Sequence, residues 1–131
     1  MVTAVRRGHP LPRPVVLTLF VYGLGWGALT IAGRGDRWAG PTLQVAQEFA
    51  GGPVSWGAAL MAFCAAGATG LWLGRLTAVQ AALVSCGVWS VAFAICLGAA
   101  PVVNSQAALT GAVTWGFHAA LFLAAARRVR W

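Results

Sequence analysis

Lysine is absent from this chain, and it carries only two acidic residues, Asp36 and Glu48. Both carboxylates fall in one polar stretch between apolar segments, so they do not form an acid/base pair drawn from facing elements. None lies inside an apolar segment. Proton-coupled pumps and small multidrug transporters rely on an intramembrane carboxylate to exchange protons for substrate, and that mechanism has no residue here. Charged residues make up only 8% of the chain, against about 25% in a soluble domain, so lipid is the expected solvent. The three cysteines, Cys64, Cys86 and Cys96, form no CxxC pair or other metal-ligand spacing and read as small packing residues. No phosphate-binding loop, nucleophile elbow or HExxH occurs. The sequence therefore predicts no enzyme, no cofactor, no metal and no small-molecule substrate.

Apolar length is what the chain has in abundance, with 60% hydrophobic residues in 131. A helix of about 20 residues crosses a hydrocarbon core of about 30 Å, and four windows have that length: about 14–33, 54–74, 76–100 and 105–126. Every Arg, Asp and Glu falls outside them. Residues 54–100 as a single helix would extend about 70 Å and bury Arg75 at its centre, so a hairpin is expected. Gly74 suits a left-handed helix end, and Thr77 with Gln80 fits a capping box that starts the next helix. Pro101 is expected to stop that helix, with Asn104 or Ser105 capping the fourth. The fold class predicted is all-α integral membrane: a four-transmembrane-helix bundle of two hairpins.

The segment before the first window, 1–13, is a basic arm with Pro10 and Pro12, followed by Pro14. It resembles the start of a signal peptide, but the apolar run behind it is too long for one, so an uncleaved first span is expected. The stretch 34–53 is the one long connection. Gln44, Gln47 and Glu48 share a helical face after Pro41, which reads either as a short interfacial helix or as an ordered surface loop. Trp38 and Trp56 are the expected headgroup anchors.

The net charge is +7, and all nine basic residues are Arg. They flank apolar segments rather than clustering on a soluble face, which points to lipid headgroups and excludes a nucleic-acid patch. Arg6, Arg7, Arg13, Arg75, Arg127, Arg128 and Arg130 fall on one side of the four-span topology, Arg34 and Arg37 on the other. Seven against two places both termini, including the basic tail 127–131, in the cytoplasm by the positive-inside rule. The bilayer of the cytoplasmic (inner) membrane is the expected partner.

Within the spans, His118 is the one ionisable side chain and a candidate functional residue. The alternative is a neutral imidazole hydrogen-bonded to Thr114 one turn away or to a neighbouring helix. Gly23 with Gly27, and Ala66 with Gly70 and Gly74, make small-residue seams that pack helices within the bundle or join copies of it into a homo-oligomer. Of the hydroxyl side chains in the spans, Thr110 with Thr114 is the clean helical pair. A permanent selective channel is therefore not expected.

The four-span architecture, the Pro41-Thr42 start of the external segment, and the fourth span reading Trp115-Gly116-Phe117-His118-Ala119-Ala120-Leu121 before Arg127-Arg128 together resemble small membrane proteins of actinobacteriophages and their hosts. The use of Arg without Lys, with abundant Ala, Gly, Val and Trp, fits such GC-rich genomes. Some of these proteins are treated as holin-like lysis proteins. The resemblance implies a chain that oligomerises in the inner membrane and permeabilises it. The alternative is a non-enzymatic membrane interaction protein, such as a prophage exclusion factor or a small subunit of a membrane complex.

Overall fold

The computed structural model of the chain describes residues 10–33, 38–48 and 51–131. Helix α1 spans Arg13–Ala32, and a 3-10 turn, Pro41–Leu43, leads into the short α2, Gln44–Glu48. The long helices α3 (Gly52–Trp72), α4 (Leu76–Val103) and α5 (Thr110–Arg128) follow, and no strand occurs among the described residues. Helices α1, α3 and α4 are long and apolar enough to cross a membrane. Helix α5 falls short of the same standard because its 19 residues include His118 and end in Arg127 and Arg128.

Proline and glycine set the helix boundaries. Pro14 sits in the first turn of α1, where its missing N–H is one the helix could not pair anyway. Gly74 adopts φ 68°, and the Arg75 N–H reaches the Gly70 carbonyl at 2.8 Å, closing α3 in the expected left-handed turn. Three residues, Leu73 to Arg75, separate α3 from α4. The capping box expected there does not form. Arg75 is the N-cap without a side-chain bond, and the Gln80 amide instead donates to the Val129 carbonyl at 3.0 Å.

Two further boundaries differ from the sequence reading. Helix α4 runs through Pro101 to Val103, because a proline in the last turn withdraws one helical hydrogen bond and only two residues follow it. Helix α5 begins at Thr110 rather than near Ser105. The Asn104 side chain is spent on a local turn, accepting the Gln106 N–H at 3.0 Å, and so caps no helix. The Ala108 N–H donates to Thr42 Oγ1 at 3.2 Å, which ties this loop to the turn before α2.

The long helices form an up-down-up-down ring in the order α1, α3, α4, α5. Gly23 lies against Cys64, and Gly27 against Gly57 and Met61, which makes α1 and α3 antiparallel. Gly70 against Ala78 and Val79 does the same for α3 and α4, and Gly87 against Leu123 with Gly111 against Leu97 for α4 and α5. In consequence Arg13, Arg75, Arg127, Arg128 and Arg130, the described arginines, all gather at one end of the bundle, and Glu48 lies at the other. Arg6, Arg7, Arg34, Arg37 and Asp36 lie outside the described residues.

The tail at the arginine end is not free. Helix α5 includes Arg127 and Arg128, and Val129 behind them is fully buried. The Leu11 N–H donates to the Arg128 carbonyl at 3.2 Å, and Trp131 Nε1 donates to the Leu11 carbonyl at 2.9 Å. The Arg13 guanidinium lies 5.2 Å from the Trp131 ring centre.

The outer surface is apolar in helical stripes. Val84, Val88, Val91 and Ile95 are exposed along one face of α4, and Val113, Phe117 and Leu121 along one face of α5. Such faces suit lipid and not water. The opposite faces hold the core, including Phe20, Leu60, Leu83 and Phe122, each nearly or wholly buried.

The glycine contacts give a paired prediction. A Cβ at Gly27 would lie 2.8 Å from the Gly57 carbonyl oxygen, which is backbone and cannot move aside alone, whereas one at Gly116 meets nothing within 4 Å. Gly27→Ala is expected to lower unfolding free energy in detergent by about 1–3 kcal/mol. Gly116→Ala should leave it unchanged or raise it. Equal losses at the two positions would contradict the packing described.

Candidate functional site

Helices α1 and α5 are neighbours in the ring, yet their backbones hardly meet. Side chains bridge the space between them. Thr18, Tyr22, Trp26 and Thr30 recur at every fourth residue of α1 and so share one face. On α5, Thr110, Thr114 and His118 have the same spacing. The faces meet at the middle of both helices. The Tyr22 hydroxyl lies 2.6 Å from His118 Nε2, with the two rings stacked at 5.3 Å between centres. One turn along, Trp26 meets Trp115 edge to face at 5.5 Å.

This settles the partner of His118, which is a neighbouring helix and not Thr114. The Thr114 hydroxyl donates back to the Thr110 carbonyl at 2.9 Å, as Thr18 does to Pro14 at 2.9 Å and Thr30 to Trp26 at 2.8 Å. Back-bonding of this kind satisfies a hydroxyl donor where water is absent and leaves its oxygen able to accept. His118 Nδ1 is buried with no partner.

The bridge divides the seam into two clefts of ≈ 290 Å³ each. One lies toward the arginine end, between Thr18, Leu19, Tyr22, His118, Leu121 and Phe122. The other lies toward α2 and includes Trp26, Thr30, Thr42, Thr110 and Trp115.

Behind the second cleft sits an aromatic cluster. Trp89 and Phe93 of α4 stack at 5.1 Å, and Trp56 and Trp115 meet both rings edge to face at 5.1 to 5.6 Å. Trp38 packs on Phe93 at 6.0 Å. Trp38 and Trp56 are thus core residues, each 6% exposed, and not the headgroup anchors expected of them. Burial is tolerated at Trp56 because its indole N–H donates to the Ala46 carbonyl at 2.8 Å. The same bond fixes α2 on the end of the bundle, so this stretch is a packed helix with Ala46 fully buried.

The remaining candidates separate. Gly23, Gly27 and Gly70 occupy helix contacts within the chain, Gly74 serves the turn, and Ala66 faces outward. The seam on α3 runs through Gly57, Leu60, Cys64, Gly67 and Leu71 instead. All three cysteines are buried, with the Cys64 and Cys86 sulfurs 3.6 Å apart. Among the described residues no group of His, Cys, Asp or Glu has the geometry to hold a metal ion. Comparison with protein-family models, curated proteins and solved structures returns no match.

A double-mutant cycle tests the Tyr22–His118 bond. Interhelical hydrogen bonds in membranes are worth about 0.6 kcal/mol on average and up to about 1.7. Tyr22→Phe and His118→Ala are expected to couple within that range when unfolding in detergent is followed by near-ultraviolet circular dichroism. Strict additivity would remove the bond from the account.

Proposed function

We propose that this chain is a four-span protein of the cytoplasmic membrane, with both termini inside, that permeabilises its membrane by self-association in a holin-like way. The observation that carries this reading is the α1/α5 seam. Three of the four helix contacts in the ring rest on close approach at glycine, and the fourth rests mainly on side chains. Parting α1 from α5 would uncover the half-buried Thr30 and His118 and separate two stripes on which Thr18, Tyr22, Thr110 and Thr114 are already exposed. In hydrocarbon the back-bonded threonines are satisfied, but Tyr22 and His118, once parted, need water or another polar face. A second copy with its own seam open presents one, and copies joined this way line a wet lesion with hydroxyls. No catalytic group is needed.

The remaining lines of support concern topology. The arginine end of the bundle carries five described cations and no described carboxylate, which fits the cytoplasmic side. The apolar outer stripe on α5 continues the lipid-facing surface of α4, which supports α5 as the fourth span despite His118 and its two terminal arginines.

Topology and function are tested separately. Cysteine introduced at exposed Val103 should react with an impermeant maleimide in intact cells, and cysteine at Arg130 only after permeabilisation. Reversed labelling would overturn the orientation. Induced expression beside a co-expressed endolysin should collapse the membrane potential and release the enzyme. Cells that stay polarised and intact would sink the holin-like reading and favour the membrane interaction protein.

A further inference from the structure

We propose that the cleft between α1 and α5 on the arginine side of the Tyr22–His118 bridge is a binding site for a neutral, lipid-soluble molecule whose head carries a hydrogen-bond-accepting oxygen. The inference goes beyond membrane permeabilisation and does not depend on it. It runs against the expectation, drawn from sequence, that no small molecule is bound.

The first argument is a count of hydrogens. A phenol and a neutral imidazole bring two exchangeable hydrogens, one O–H and one N–H. Their mutual bond uses one. If Tyr22 donates to Nε2, the second hydrogen sits on Nδ1, which has no partner. If Nε2 donates to the phenol, the Tyr22 O–H is the spare, and among the described residues the Tyr22 hydroxyl pairs with His118 alone. Either tautomer leaves a donor without an acceptor, which is unfavourable away from water. The second tautomer turns that donor into the cleft, since Tyr22 lines it and is 39% exposed.

The second argument is depth. Tyr22 is the tenth of the 20 residues of α1, and His118 the ninth of the 19 of α5. A bilayer centred on these helices puts the bridge near its midplane, about 15 Å from the oxygens of phospholipid headgroups. A phospholipid brings only methyl and methylene groups to that depth. The acceptor therefore belongs to a molecule that dissolves head and all in the hydrocarbon, such as a quinone or another ring ketone.

The third argument is shape. The cleft measures ≈ 290 Å³, at the lower end of small-molecule pockets, which start near about 300 Å³. That admits one ring and not a two-chain lipid. Leu19, Leu121 and Phe122 supply apolar walls, and the Thr18 oxygen lies at the same cleft with its hydrogen already committed to Pro14. No Asp, Glu, Lys or Arg lines the cleft, so it selects a neutral head.

The test uses the purified full chain in lipid nanodiscs. The probes are a decyl-substituted benzoquinone and decylbenzene, which has the same tail and no oxygen. The quinone should bind saturably at one per chain and show a lowered carbonyl stretch in difference infrared spectra, and decylbenzene should only partition. Tyr22→Phe should weaken quinone binding about five-fold, the equivalent of roughly 1 kcal/mol for one membrane hydrogen bond, and abolish the infrared shift. Leu121→Trp, which fills the cleft from an exposed position and spares the bridge, should block binding while the unfolding midpoint holds. Non-saturable uptake, as expected for a cleft holding ordered water only, would overturn the proposal. So would equal binding of decylbenzene, or quinone binding indifferent to both substitutions. None of these outcomes bears on lysis, which the endolysin assay reads independently.

Discussion

In hydrocarbon, helices gain little by hiding apolar surface from one another, because lipid tails are as apolar as leucine. What holds them together is close contact, and close contact requires that something be missing from the surface. In this bundle the missing atoms are the Cβ atoms of Gly23, Gly27, Gly57 and Gly67 between α1 and α3, Gly70 at the α3/α4 turn, and Gly87 and Gly111 between α4 and α5. Phe20 seats its ring where Gly67 leaves room, and it is wholly buried there. The arrangement of the ring follows from where these absences fall.

The aromatic cluster depends on that arrangement. Trp56, Trp89, Phe93 and Trp115 come from three different helices, and they meet because the glycines below have already fixed helix spacing and register. Indole brings an N–H into a place without water, so each ring needs an acceptor. Trp89 donates to the Trp56 carbonyl at 3.1 Å and Trp56 to that of Ala46 at 2.8 Å. The second bond reaches outside the bundle and holds α2 over its end. A short helix of five residues, marginal by itself, is thereby made part of the fold.

What the sequence discloses, and what it hides, follows the range of the interactions. The extents of α1 and α3, the Gly74 turn and the gathering of the described arginines at one end rest on local pattern and were legible. The start of α5 was not, since Asn104 is equally suited to cap a helix or close a turn on Gln106, and tertiary contact from Thr42 decides. Trp38 and Trp56 were misplaced because an interfacial tryptophan and a buried one look alike until their N–H partners are known. At the site, His118 stood out by type, but its partner lies 96 residues away and no spacing announces it. A signal was nonetheless present in the four-residue repeat Thr18, Tyr22, Trp26, Thr30, which marks a polar face on a helix that otherwise has none.

The seam's strength bounds what it can do. Its midplane bridge is one hydrogen bond, about 0.6 to 1.7 kcal/mol, and one aromatic pair, about 0.5 to 1.5 kcal/mol. By itself a bridge worth about 1 to 3 kcal/mol would leave a parted state populated at roughly one in five to one in two hundred, against an RT of about 0.59 kcal/mol, and the ties at the two ends of the seam lower that population. The glycine-packed contacts spread over whole helix faces, so the same thermal energy does not part them. The α1/α5 seam is thus the weakest of the four helix contacts, and it falls where the hydrogen-bonding side chains of α1 and α5 are concentrated. The staple from Leu11 to Arg128 and Trp131 restrains that line at the arginine end, and the Ala108–Thr42 bond restrains it at the α2 end. On the proposed reading, a second copy that prefers the parted seam by a few kcal/mol suffices to shift the balance.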